Sequence, residues 1–131
     1  MANLLIVDDE PSLVLLMRTV LEKVGHTVSD ACNGQEALVK LGVSPDDPLA
    51  TLPDLILLDV MMPILDGFGV AAALREHPRA AKIPILIVTA KGDMRPLFEA
   101  MPQVTAFFQK PFTPAGLREA VSRAVAPKSA P

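Results

Sequence analysis

The chain has 131 residues, of which 50% are hydrophobic and 21% charged. That balance buries enough apolar surface to offset chain ordering, so intrinsic disorder is excluded, and the length suits one domain. A formal net charge of −3 and the lack of Trp and Tyr argue against a nucleic-acid-binding or base-stacking surface.

Short apolar runs alternate with amphipathic stretches along the chain. The first strand is expected at Leu4–Val7, stopped by Asp8-Asp9-Glu10. The first helix opens at Pro11, a residue suited to a first helical turn. Its apolar residues Leu13, Leu16, Met17, Val20, Leu21 and Val24 share one helical face, and Gly25 ends it. A second strand is expected around Thr27–Ser29, and a second helix from Asn33-Gly34 to about Gly42. The prolines Pro45, Pro48 and Pro53 mark Val43–Pro53 as a loop.

The run Leu55-Ile56-Leu57-Leu58 reads as a third strand, buried on both faces as in a parallel sheet. A third helix follows Asp66-Gly67 and runs to about Glu76. Ile85–Val88 is the fourth strand. Met94, Leu97, Phe98 and Met101 recur at helical spacing and predict a fourth helix, ended by Pro102. Ala106–Gln109 is the fifth strand, and the fifth helix starts at Thr113-Pro114. Residues 127–131 are read as a frayed tail. The single Cys32 has no disulfide partner and is read as a small core or edge residue; His26 and His77 fall at turns and are read as surface. No signal peptide is visible, and no apolar run approaches the roughly 18–20 residues of a membrane span, so a cytoplasmic domain is expected.

Strands alternating with helices imply an α/β fold with a parallel sheet covered on both faces. Ligands then bind beyond the carboxyl ends of the strands. The residues there are Asp8, Asp9 and Glu10 after strand one, Asp59 after strand three, Thr89 after strand four and Lys110 after strand five. Three aspartates brought together repel unless a cation lies among them, and an oxygen-rich set suits Mg²⁺. A lysine and a hydroxyl beside them suit phosphate. Phosphoryl transfer onto a carboxylate needs positioning and charge neutralisation above all. Asp8 and Asp9, adjacent at one strand end, suit the metal. Asp59 stands alone between them and the Thr89 and Lys110 side, and is the expected acceptor.

Taken in order, Leu5-Ile6-Val7-Asp8-Asp9-Glu10-Pro11, Leu57-Leu58-Asp59-Val60-Met61-Met62-Pro63, Asp66-Gly67, Val88-Thr89-Ala90 and Lys110-Pro111-Phe112 resemble the receiver domains of bacterial two-component response regulators, from Asn3 to about Ala126. The resemblance implies a doubly wound, flavodoxin-like (βα)5 domain with strand order 2-1-3-4-5, over 1–126. It implies Asp59 as phosphoacceptor and Mg²⁺ held by Asp8, Asp9, Asp59 and the Met61 backbone carbonyl. Thr89 becomes the switch hydroxyl, Phe107 the aromatic switch position, and Lys110 the partner of a phosphoryl oxygen. The Lys110-Pro111 bond is expected to be cis.

The phosphodonor implied is a sensor histidine kinase or a histidine phosphotransfer protein. Five residues after the receiver leave no room for an output domain, so a stand-alone, chemotaxis-type switch acting on a downstream protein target is expected. No direct nucleic-acid contact or membrane insertion is expected. The fourth helix, fifth strand and fifth helix offer a face for a homodimer. Such a protein is a phosphoacceptor that catalyses its own phosphotransfer and dephosphorylation rather than an enzyme. The alternatives are a receiver fragment of a larger regulator and an aspartyl-phosphate phosphatase; the latter would want a DxDx pattern after strand one, where Asp8-Asp9-Glu10 stands. A flavin-binding domain on the same sheet would want a Ser/Thr/Gly-rich phosphate loop there, and the acids would repel that phosphate. Two features depart from the family. Asp9 and Asp59 lie 50 positions apart, with the surplus in Val43–Pro53, and Met101–Thr105 replaces a Gly-Ala-Asp-like approach to the fifth strand.

Overall fold

A computed structural model describes residues 2–62, 64–89, 95–98, 101–110 and 112–125. Five parallel strands form one sheet: β1 (Asn3–Val7), β2 (Thr27–Ala31), β3 (Leu55–Leu58), β4 (Ile85–Thr89) and β5 (Val104–Gln109), in the order β2-β1-β3-β4-β5. Among the described residues the α-helices are α1 (Pro11–Lys23), α2 (Gly34–Lys40), α3 (Gly67–Arg75) and α4 (Pro114–Val125). The fold is therefore the flavodoxin-like α/β type expected.

Period-2 alternation within the apolar runs builds two cores. Leu5, Val7, Ile56, Leu58, Ile85 and Ile87 face α2 and α3. Leu4, Ile6, Leu55, Leu57, Leu86 and Val88 face α1 and α4. None of these side chains is more than 2% exposed, so both sheet faces are dry and the central strands carry no polar alternation. Three helices start on side-chain caps: Asn33 accepts from the Glu36 N–H at 2.8 Å, Asp66 from the Gly69 N–H at 2.9 Å, and Thr113 from the Gly116 N–H at 3.0 Å.

Several boundaries and placements differ from expectation. β1, β2, β4 and β5 each extend by one or two residues: pairing continues through polar Asn3, Asp30 and Thr89, where periodicity is weak, and resumes at Val104 beyond a register shift that skips Thr105. The predicted fourth helix is represented among the described residues by a 3₁₀ turn at Arg95–Phe98, with the remainder of its expected first turns outside them; Pro96 lacks the N–H that an α-helical interior needs. The 127–131 tail also lies outside the described residues. Cys32 is exposed rather than core, because β2 ends at Ala31 and leaves the thiol in the turn, donating to Glu36 Oε2 at 3.4 Å. Glu36 in turn holds that thiol above its usual pKa. His77 is not a free surface residue: its side chain is 14% exposed and its Nε2 lies 2.9 Å from Asp46 Oδ1. His26 is half-buried and accepts from the Ala2 N–H through Nδ1.

Candidate functional site

The sheet ladder itself delivers the chemistry. The Asp59 N–H donates to the Val7 carbonyl at 2.9 Å, the Asp8 N–H to the Ala31 carbonyl at 3.1 Å, and the Lys110 N–H to the Thr89 carbonyl at 2.8 Å. Each functional residue is thus the first step past its strand, with its backbone still fixed by the neighbouring strand. Thr89 is the last residue of β4 and 3% exposed. The expected edge residues therefore do meet at one end of the sheet.

Asp8 and Asp59 are buried, at 2% and 5% exposure, whereas Asp9 is exposed. One carboxylate oxygen from each of the three lies within 4.8 Å of the others. Lys110 Nζ lies 2.9 Å from Asp8 Oδ2 and 3.8 Å from Asp59 Oδ2, so one cation serves two buried anions. The Met61 N–H donates to Asp59 Oδ1 at 3.4 Å. Burial, and then the charge of Asp8, push the Asp59 carboxyl up to about 6, with Lys110 and the Met61 N–H pulling against them. Asp8 Oδ1 also accepts from the Glu10 N–H at 3.0 Å, which fixes the turn into α1.

An all-carboxylate donor set of this spacing fits a hard divalent cation and no soft one. Among the described residues one lysine, Lys110, pairs with this group of three acids. Met61 presents its N–H to Asp59 and is 57% exposed. Phe107 is half-buried against the α2–α3 core, with its ring 5.9 Å from that of Phe98, which in turn lies 5.8 Å from Phe68. Phe108 points to the opposite face, 5.6 Å from Phe112. Pro111, the cis-peptide candidate, lies outside the described residues, as do Pro63, Ala90 and Lys91.

Sequence reading did not anticipate Phe68 and Phe98 as neighbours of Phe107, because ring contacts between separate elements leave no spacing signal. Nor did it anticipate Gly67 as a close-packing position. A side chain there would press on the backbone of Asp59 and Val60, with a Cβ 2.7 Å from Val60 Cα.

A doubly wound sheet with buried aspartates, a lysine and a hydroxyl at its carboxyl edge is the arrangement of a receiver-type signalling domain. The chain belongs to the response regulator receiver domain family, which matches residues 4–122. It is 45% identical over 92 residues to a probable transcriptional regulator ycf27 of Cyanidium caldarium, covering 70% of this chain and 33% of that protein. It is 43% identical over 91 residues to the alkaline phosphatase synthesis transcriptional regulatory protein PhoP of Bacillus subtilis, covering 70% of this chain and 34% of that one. Among solved structures it resembles the chemotaxis protein CheY4 of Vibrio cholerae, with TM-score 0.81, 30% identity, and 95% of this chain and 98% of that chain covered. The chain spans about a third of the length of each of these two regulators.

Proposed function

We propose that the domain accepts a phosphoryl group on Asp59 from a phosphorylated histidine of a sensor kinase or phosphotransfer protein. The observation that carries this reading is the buried Asp59 carboxylate held between Lys110 and the Asp8–Asp9 pair. An Asp59 oxygen attacks phosphorus in line; the O–P bond forms as the N–P bond breaks, and the imidazole leaves. Lys110 stands where it would meet a phosphoryl oxygen, and Thr89 brings a hydroxyl from the next strand. Asp8, Asp9, Asp59 and the Met61 carbonyl would hold Mg²⁺, whose contribution is to neutralise charge on the transferring group. Hydrolysis of the acyl phosphate by water at the same site returns the domain to rest.

Phosphorylation biases a two-state equilibrium through Thr89 and Phe107, read by a downstream protein. The receiver unit is taken as 1–126, and the face built by β5, α4 and the segment before β5 as a surface for a second copy. Among the described residues no helix is long and apolar enough to cross a membrane, and a cytoplasmic site of action is part of this proposal. A second reading places the domain within a longer transcriptional regulator. It is favoured by the higher identity to such regulators, 45% and 43%, than to the chemotaxis protein, 30%.

The test is intact-mass measurement after incubation with Mg²⁺ and phosphoramidate. The expected result is one acid-labile phosphate on the wild type and none on Asp59→Ala. Labelling that survives in Asp59→Ala would move the acceptor elsewhere.

A further inference from the structure

The loop between β3 and α3 begins at Asp59 and ends at Asp66, the cap of α3. Within it Ile64 has φ of 72°, a left-handed conformation that a β-branched residue resists because its Cβ crowds the backbone. Its side chain is 79% exposed, so burial returns nothing for that cost. Such a conformation persists only where its surroundings over-determine it.

The surroundings act on the next residue, Leu65, which is half-buried against the α2–α3 core. Two glycines make room for it. A Cβ on Gly69 would lie 2.5 Å from Leu65 Cδ1 and 3.2 Å from Cγ. A Cβ on Gly34, the first residue of α2, would lie 2.6 Å from Val70 Cγ2, 2.9 Å from Leu65 Cβ, and closer still to the Leu65 carbonyl oxygen. These contacts differ in kind. Gly69 faces the end of a flexible side chain, which can rotate away. Gly34 faces backbone, which yields only if the loop or the helix moves. The start of α2 is itself pinned: Asn33 caps the Glu36 N–H, and Glu36 reaches back to the Cys32 N–H at 3.3 Å. The loop is what would give way. At its other end Gly67 packs on the Asp59 and Val60 backbone in the same manner.

We infer that Gly34 is a positioning residue for the acceptor: its missing side chain lets α2 close on the Leu65 backbone and hold the loop that sets Met61 against Asp59. This rests on the reading of Asp59 as acceptor. The effect passes through Leu65 and the loop to the Met61 N–H, which lies 3.4 Å from Asp59 Oδ1.

The experiment compares wild type, Gly34→Ala, Gly69→Ala and Leu65→Ala. Three quantities are read: Mg²⁺-dependent labelling by phosphoramidate across donor concentrations, the Met61 amide resonance in metal-free protein, and stability to urea. Gly34→Ala should slow labelling at saturating donor on the order of tenfold, as sub-ångström to ångström misplacement does. Its half-saturating donor concentration should change little, and its Met61 amide should shift. Gly69→Ala should lose stability yet keep both the rate and the resonance. Leu65→Ala, which keeps the carbonyl and Cβ that Gly34 faces but removes the side chain that seats the loop on the α2–α3 core, should label slowly and serves if Gly34→Ala does not fold. Wild-type labelling in Leu65→Ala, an unmoved Met61 amide in Gly34→Ala, or an equal loss of rate in Gly69→Ala would overturn the inference. A wild type that takes no phosphate on Asp59 would instead remove the acceptor reading itself.

Discussion

Asp59 carries its buried carboxylate at a cost to the folded state. Its carboxyl is pushed up to about 6 by burial and by Asp8, against 3.8 for an ordinary aspartate. Below about pH 3.8 the group is protonated folded and unfolded alike, and its effect on stability is nil. Between there and about pH 6 the unfolded chain gives up its proton first, so rising pH favours unfolding. Above about pH 6 the full penalty of a buried anion is present. Asp59→Asn should therefore stabilise the metal-free protein near pH 7.5, by about 1–2 kcal/mol once solvent at the mouth is allowed for, and the gain should vanish near pH 3.5. Urea unfolding of both proteins at the two pH values measures this, and a gain independent of pH would contradict a buried charge at Asp59. Residues such as Asp8, Asp59 and Lys110 were legible because each directly follows an expected strand, and the ladder then fixes where it stands. Cys32 and His77 were not: whether a thiol or imidazole is buried depends on partners such as Glu36 and Asp46, which carry no local signal.

At the scale of elements, the surplus loop between α2 and β3 shows how an insertion is kept away from the site. Its prolines and acids read plainly as a loop, but not the clamp that holds it. Arg79, past the end of α3, donates to the Asp47 carbonyl at 3.1 Å and to the Gly42 carbonyl at 3.3 Å, and pairs with Asp46 at 2.5 Å. His77 holds the same Asp46 carboxylate, and together they keep that carboxyl below its usual pKa. The partners lie 31–37 positions apart, a separation at which sequence offers no periodicity to read. Because the Arg79 and Asp46 side chains are 30% and 67% exposed, the clamp orders more than it stabilises. Arg79→Ala should cost about 1 kcal/mol and raise amide hydrogen exchange across residues 42–50, while phosphoramidate labelling of Asp59 stays at the wild-type rate. Slower labelling in that variant would mean that the insertion reaches the acceptor edge after all.

For the whole molecule, the division between two dry cores and one acidic edge decides how stability and function are linked. The strands were legible because Leu55–Leu58 and Ile85–Val88 are unbroken apolar runs, and runs of that kind need cover on both faces. Their lateral order was not readable from periodicity, which tells which segments are strands but not which are neighbours; the resemblance supplied it and the register agrees. The strands bring the three carboxylates together, and among the described residues Lys110 pairs with two of them, Asp8 and Asp59. A divalent cation that binds only the folded chain must then stabilise it, by about 2.7 kcal/mol when present at a hundredfold over its dissociation constant. Asp9 separates this linkage from ordinary packing, since it is exposed and belongs to the cluster without lying in either core. Asp9→Ala should leave metal-free stability within about 0.5 kcal/mol of wild type, as exposed positions do, or raise it slightly by easing repulsion. The same variant should lose most of the Mg²⁺-dependent gain. Thermal unfolding with and without Mg²⁺, against sodium chloride at equal ionic strength to account for screening, distinguishes these effects. An Mg²⁺ gain in Asp9→Ala equal to that of wild type would remove Asp9 from the metal set and leave the buried pair, Asp8 and Asp59, to hold the ion without it.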